Sequence, residues 1–101
     1  MSENRKFSVL MSVYVKENPV FLEEAVESIL NQTLKPSEVI LVEDGPLTPE
    51  LYQVLEKLTA QSTIPVKRCP LEQNRGLGLA LQYGVLQCQY DVIARMDTDD
   101  I

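Results

Sequence analysis

Three of the chain's five aspartates, Asp97, Asp99 and Asp100, crowd into its last five residues as Asp97-Thr98-Asp99-Asp100. Carboxylates on alternate residues at the end of a strand, where the backbone leaves the sheet, can share one hard divalent cation. Mg and Mn take one or two carboxylates of this kind together with phosphate oxygens, so the spacing points to a metal held with a diphosphate. A solvated acidic turn is the plain alternative. Without a cation or nearby donors, like charges this close repel, and the cluster binds protons more readily than an isolated Asp.

Other polar residues fall at comparable places. Glu43-Asp44-Gly45-Pro46 closes a short β-branched run, and an Asp there can accept hydrogen bonds from a base or ribose lying across a sheet edge. A turn Asp before a permissive Gly is the other reading. Glu43 is expected to face away from Asp44, because strand neighbours alternate, and is read as structural. Ser12, Val13 and Tyr14 end the first apolar run. Backbone groups and the Tyr14 ring can flank a planar base there, and ordinary packing accounts for Tyr14 equally well. Asn74-Arg75-Gly76 precedes a helical pattern, so backbone N–H groups, the helix dipole and the Arg75 guanidinium can meet a phosphate; a helix cap is the alternative. Arg95 lies in an apolar run two residues before Asp97 and is read as the partner of an acid in the cluster, ahead of a contact to a phosphate.

What positions these residues is an alternation of strands and helices. Phe7 to Val15 is nearly continuous apolar sequence rich in Val, which suits a strand buried on both faces. Asn18 caps the next segment with Pro19 in its first turn, and Leu22, Ala25, Val26, Ile29 and Leu30 repeat at helical spacing to near Thr33. Lys35-Pro36-Ser37 breaks the chain before a second strand, Glu38 to Val42. Thr48-Pro49 repeats the cap-then-proline signature ahead of Leu51, Val54, Leu55 and Leu58. Val66 to Cys69 forms a third strand curtailed by Pro70. Leu77, Ala80, Leu81, Gly84, Val85 and Cys88 then mark a third helix, and Tyr90 to Met96 is a last strand that runs into Asp97. Strands alternating with helices over short loops predict an α/β fold with a mainly parallel sheet of about four strands and right-handed crossovers. Ligands of such sheets bind outside the carboxyl ends of the strands, where these polar groups fall.

Composition narrows the chemistry. The chain has 101 residues, 45% apolar and 24% charged, enough for one core but not for two lobes around a closed site. Half of an enzyme is the expectation. The net charge of −6 disfavours nucleic acid and anionic membrane surfaces as partners. With no histidine, Ser-His-Asp and Cys-His sets and His-containing zinc sites are excluded. Cys69 and Cys88 lack C-x-x-C spacing and the density of a disulfide scaffold, so they are expected as buried free thiols in a reducing compartment. The N-terminal apolar run fits neither a membrane span nor a signal peptide, and the chain is expected in the cytoplasm. Gly76-x-Gly78 lacks the third glycine of the dinucleotide fingerprint and follows the third strand, where that fingerprint belongs after the first. There is no Gly-Lys-Ser/Thr phosphate loop, and a phosphoaspartyl hydrolase would place its paired Asp after the opening strand.

Five segments in register, FSVLMSVY, ESILNQT, EVILVEDGP, NRGLGLALQYG and YDVIARMDTDD, closely resemble the donor-binding half of family 2 glycosyltransferases, most nearly the bacterial exopolysaccharide and capsule branch of the amylovoran-biosynthesis type. The resemblance covers Phe7 to Ile101. It implies the Rossmann-like α/β/α sandwich called GT-A, with residues 1–101 as its nucleotide-sugar-binding part. The implied reaction is inverting transfer of a sugar from a nucleoside diphosphate donor, a UDP-sugar foremost, to a hydroxyl of a saccharide or lipid-linked saccharide. By the same resemblance Ser12 and Tyr14 match positions lining the nucleoside, Asp44 matches the acid that reads the base, and Asp97, Asp99 and Asp100 match the Asp-x-Asp motif that touches the ribose and holds Mn or Mg.

Family members often carry Ala-Arg-Asn or Ala-Leu-Asn where this chain has Ala80-Leu81-Gln82, so no donor contact is carried onto Gln82. The family's catalytic base and acceptor-binding segments lie downstream of Asp-x-Asp, which implies that this part alone is inactive; a cytoplasmic full enzyme is expected, with peripheral attachment at the inner membrane face as an alternative. A non-catalytic nucleotide-binding or interaction module of the same fold is the competing reading. The last strand is expected to present an apolar edge that can pair with another copy.

Overall fold

A computed structural model describes residues 6–96. Its elements are β1 (Ser8–Val13), α1 (Pro19–Leu30), β2 (Glu38–Glu43), α2 (Pro49–Gln61), β3 (Val66–Pro70), α3 (Leu77–Gln87) and β4 (Ile93–Met96). The four strands form one sheet in the order β3-β2-β1-β4, every pair parallel. This is the expected α/β architecture.

Local signals set the helix starts. Asn18 Oδ1 accepts from the N–H groups of Val20 at 2.8 Å and Phe21 at 3.2 Å, and Thr48 Oγ1 accepts from Leu51 N at 3.2 Å. Each satisfies donors that the first turn leaves unpaired, next to a proline that has none to lose. Ends differ from the sequence reading where tertiary pairing decides. β1 stops at Val13 because a turn closes between Glu17 N and Tyr14 O at 3.0 Å. α1 stops at Leu30, where Gln32 N reaches back only to Ile29 O and tightens the last turn. β4 begins at Ile93 and not at Tyr90, since Ile93 lies opposite Ser8, the first residue of β1.

Alternation along β1 sorts the core into two layers. Val9, Met11 and Val13 join Val39 and Leu41 under α1 and α2, where Leu22, Val26, Ile29, Leu51, Leu55 and Leu58 are buried. Leu10 joins Ile40, Val42 and Cys69 under Ala80 and Leu81 of α3. Each fully buried Leu or Ile contributes about 1.5–3 kcal/mol, which is why β1 and β2 read as nearly continuous apolar runs.

α3 lies close on the sheet through Gly84. A Cβ there would stand 2.3 Å from Leu10 Cδ1 and 2.9 Å from Val42 Cγ2. Leu10 can swing away, but the β-branched Val42 on a central strand cannot. Gly84→Val is therefore expected to destabilise by about 1–3 kcal/mol through overpacking, read as a lower urea midpoint with an unchanged slope.

At the opposite, amino end of the sheet Glu38 is buried. It accepts from Ser8 Oγ at 2.6 Å, Gln89 N at 2.7 Å and Gln89 Nε2 at 3.1 Å, tying β1, β2 and the α3–β4 connection together. Burial pushes its pKa up, but the hydrogen bonds from Ser8 and Gln89 and the Lys67 charge outweigh that and hold it below the ordinary Glu range. A depressed folded pKa contributes stability that is present above the unfolded value, about 4.3, and lost as pH falls through the folded one. Glu38→Gln is expected to be less stable than the parent at pH 7, with the gap narrowing on acidification in denaturant melts at successive pH values.

Cys69 is buried, Cys88 half-buried, and both are free. Burial raises both thiols, so neither is a ready nucleophile at neutral pH.

Candidate functional site

The strand order reverses at β1. α1 and α2 carry the chain across one face to β2 and β3, whereas α3 returns it across the other face to β4 on the far side of β1. Connections that diverge in this way leave a crevice at the carboxyl ends of the strands, the topological switch point. Ser12, half-buried, and Tyr14, 41% exposed, stand at the carboxyl end of β1. β4 ends at Met96, paired with Met11 of β1. Asp97, Asp99 and Asp100 follow in sequence and lie outside the described residues. Among the described residues no group of three or more His, Cys, Asp or Glu is placed to hold a metal.

Asp44 extends the β1–β2 ladder by one bond, from its N–H to Val13 O at 2.7 Å. Its side chain turns toward α3. Oδ1 accepts from Arg75 N at 2.7 Å, Oδ2 accepts from Gly76 N at 3.2 Å, and its carbonyl accepts from Asn74 Nδ2 at 3.2 Å. Gly76, the N-cap residue of α3, has no side chain to cap it, and Asp44 ties down the Arg75 and Gly76 amides that lead into the helix. The two segments abut at Gly45, whose φ of +91° suits glycine and whose Cβ, if present, would lie 2.6 Å from Asn74 N. Of the groups expected to meet a phosphate here, the N–H groups of Arg75 and Gly76 are already engaged by Asp44. Arg75 itself is exposed.

Glu43 points the other way. It is 3% exposed on the α1/α2 face and pairs with Arg68 Nε of β3. The Arg68 guanidinium lies 6.0 Å from the Tyr52 ring centroid, and the Tyr52 hydroxyl accepts from Leu47 N at 3.0 Å. The Glu43 hydrogen bond pushes the Arg68 pKa further up, so Arg68 stays charged wherever the fold persists. Sequence reasoning read Glu43 as structural and passed over Arg68. A charged residue beside Cys69 in a short strand was the only signal, and an edge strand carries such residues without special purpose. Arg95 is exposed on β4, and the acids expected to pair with it lie outside the described residues. Gln82 is exposed on α3.

The parallel sheet and its helices on both faces define a Rossmann-like α/β protein, with polar groups at the strand ends of its switch point. The sequence profile of glycosyl transferase family 2 matches residues 8–101, and the chain belongs to that family. It is 46% identical over 96 residues to the Escherichia coli UDP-Gal:alpha-D-GlcNAc-diphosphoundecaprenol beta-1,3-galactosyltransferase, covering 95% of this chain and 34% of that protein. It is 47% identical over 95 residues to the amylovoran biosynthesis glycosyltransferase AmsE of Erwinia amylovora, covering 94% and 35%. The chain thus spans about a third of the length of these relatives. Among solved structures, S. aureus TarS 1-349 in complex with UDP superposes with a TM-score of 0.76 at 27% identity, over 94% of this chain and 28% of that one. The mannosyltransferase PcManGT of Pyrobaculum calidifontis, in complex with GDP-Man and Mn2+, shares the fold with a TM-score of 0.81 at 16% identity, over 96% and 29%.

Proposed function

We propose that this chain is the donor-binding part of a glycosyltransferase that moves a sugar, with inversion, from a nucleoside diphosphate to a hydroxyl of a saccharide or lipid-linked saccharide in polysaccharide synthesis. The observation that carries this is the gathering of Ser12, Tyr14, Asp44 and Arg75 at the carboxyl ends of β1 and β2 and the start of α3, beside the strand that leads into Asp97, in a chain of this family. A UDP-sugar donor is favoured because the E. coli relative is named for UDP-Gal and the S. aureus structure holds UDP. The same relative's diphosphoundecaprenol acceptor favours a lipid-linked acceptor and a cytoplasmic enzyme at the membrane face.

In this reading the exposed Tyr14 ring and Ser12 flank the nucleoside, and Arg75 neutralises phosphate charge by charge-assisted hydrogen bonds. Asp44 belongs to the same site. Asp97, Asp99 and Asp100 would supply all-oxygen ligands of the kind that suit a hard cation, Mn or Mg, and Asp97 is also assigned to the ribose. When bound, the cation supplies Lewis-acid stabilisation of the charge that develops on the departing nucleoside diphosphate. The base that deprotonates the acceptor lies beyond Asp-x-Asp in the family pattern, so the chain by itself is expected to bind donor without transferring it. β4 is one of the two edges of the sheet among the described strands, and pairing with a second copy there is the self-association this reading carries.

Titration of the chain with UDP and then GDP, with and without Mn, tests the reading through backbone resonances. Metal-dependent shifts clustered at Tyr14, Asp44 and Asp99 are expected, larger with UDP. No response at these strand ends at millimolar nucleotide would overturn it.

A further inference from the structure

We propose that Glu38 is a positioning residue: by holding Gln89 at the amino end of the sheet it sets the register of β4 against β1, and so fixes where the chain leaves the sheet toward Asp97. The inference deepens the donor-binding reading and rests on its assignment of Asp97 and Asp99 to the cation, but every contact it uses lies at the opposite end of the strands. Glu38 is 3% exposed, and among the described residues no ion pair reaches it. Its hydrogen bonds come from neutral donors on other segments: Ser8 Oγ on β1, and Gln89 N and Nε2 in the α3–β4 connection. Burying a carboxylate is costly, and an apolar side chain would fill the same place in β2. What an apolar side chain cannot do is select one alignment of a neighbouring segment, and register is the best-attested use of buried polar groups of this kind.

β4 needs that selection. Strand register is ordinarily set by apolar residues alternating onto a buried face. Ile93-Ala94-Arg95-Met96 offers no such alternation, since Ala94 and Arg95 are exposed while Ile93 and Met96 are each half-buried on opposite faces. Among the described strands β1 is its one neighbour. The connection into β4 is tied at Gln89 by Glu38 and at Val92 by the bond from Ser8 N to Val92 O at 2.9 Å. A slip of one residue would carry Met96 about 3.3 Å along β1 and exchange the two faces of β4. The residues that follow would start from the wrong place. A hard cation such as Mg tolerates far less, because it demands near-ideal octahedral geometry at about 2.0–2.1 Å.

The test compares Glu38→Ala, Glu38→Gln and Ser8→Ala in the full chain. Amide hydrogen exchange across Ile93–Met96 is followed without ligand, and UDP affinity is measured with Mn and then with EDTA. Glu38→Ala releases Gln89 and is expected to speed exchange across β4 by about tenfold, the scale of one or two lost hydrogen bonds. It should also cut the Mn-dependent gain in UDP affinity by about tenfold, the lower end of the range for groups that orient metal ligands. Affinity in EDTA should be unchanged, a separation that loss of stability cannot produce, because unfolding lowers both affinities alike. Glu38→Gln keeps one acceptor for Gln89 N and should fall between parent and Ala in both measurements. Ser8→Ala removes a bond to the same carboxylate but leaves Gln89 held, so it should lower stability and keep the Mn-dependent gain. Unchanged β4 exchange in the Glu38 variants overturns the register role, and faster exchange with the Mn-dependent gain intact overturns the positioning of the metal ligands. If Glu38→Ala does not fold, Glu38→Gln decides both by the same criteria. A parent with no Mn-dependent gain removes the cation assignment and the positioning role with it, while the exchange arm still decides the register.

Discussion

Arg68→Ala is expected to cost the fold about 3 kcal/mol, the lower end of the range for breaking a buried ion pair, because Arg68 keeps a quarter of its side chain exposed. Most of that cost comes from what remains. Glu43, with 4% of its side chain exposed, is left as a carboxylate without its cation beneath α2, and the Tyr52 ring loses its guanidinium neighbour. For a domain of this size the loss corresponds to a fall in Tm of roughly 12–24 °C. Replacing both partners, as Glu43→Gln with Arg68→Met, should recover most of the loss, since two neutral side chains leave no charge to desolvate. Thermal melts of the single and double variants check this. A double variant no more stable than Arg68→Ala would mean that packing by Arg68, and not its charge, matters.

Asp99→Ala is expected to remove the metal-dependent part of UDP affinity. Disturbing groups that merely orient a metal ligand costs 10- to 100-fold in metal affinity, so deleting a direct ligand belongs at about 100-fold or beyond. The metal-independent part, which the proposed function assigns to Tyr14 and Arg75, should persist. Calorimetric titration of UDP into parent and variant, each with Mn and then with EDTA, separates the two. A variant that keeps the Mn-dependent gain would remove Asp99 from the metal set.

Much of the architecture was legible because it is written in short-range patterns. The Asn18-Pro19 and Thr48-Pro49 starts need only residues within one turn, and the observed caps use the atoms those patterns imply. Continuous apolar sequence in β1 and β2 implied burial on both faces, and the two core layers provide it. The edges of elements were less legible. Tyr90 and Asp91 have strand-like sequence but precede the first bond that β1 makes to this segment, from Ser8 N to Val92 O, and no local pattern encodes where a neighbour begins.

Residue types at short, countable spacings were enough to read the alternation of strands and helices, the polar residues at strand ends and the family. Which of those polar groups stay unengaged depends on pairing between residues far apart in the chain. Glu43 is paired with Arg68, 25 residues on, and Asp44 accepts from the amides of Arg75 and Gly76, 31 and 32 residues on, whereas Tyr14 and Arg75 stay exposed. The physical reason is that a buried charge or an unpaired helix amide takes whichever partner folding brings within about 3 Å, and in this sheet that partner comes from the neighbouring strand or from the start of the next helix.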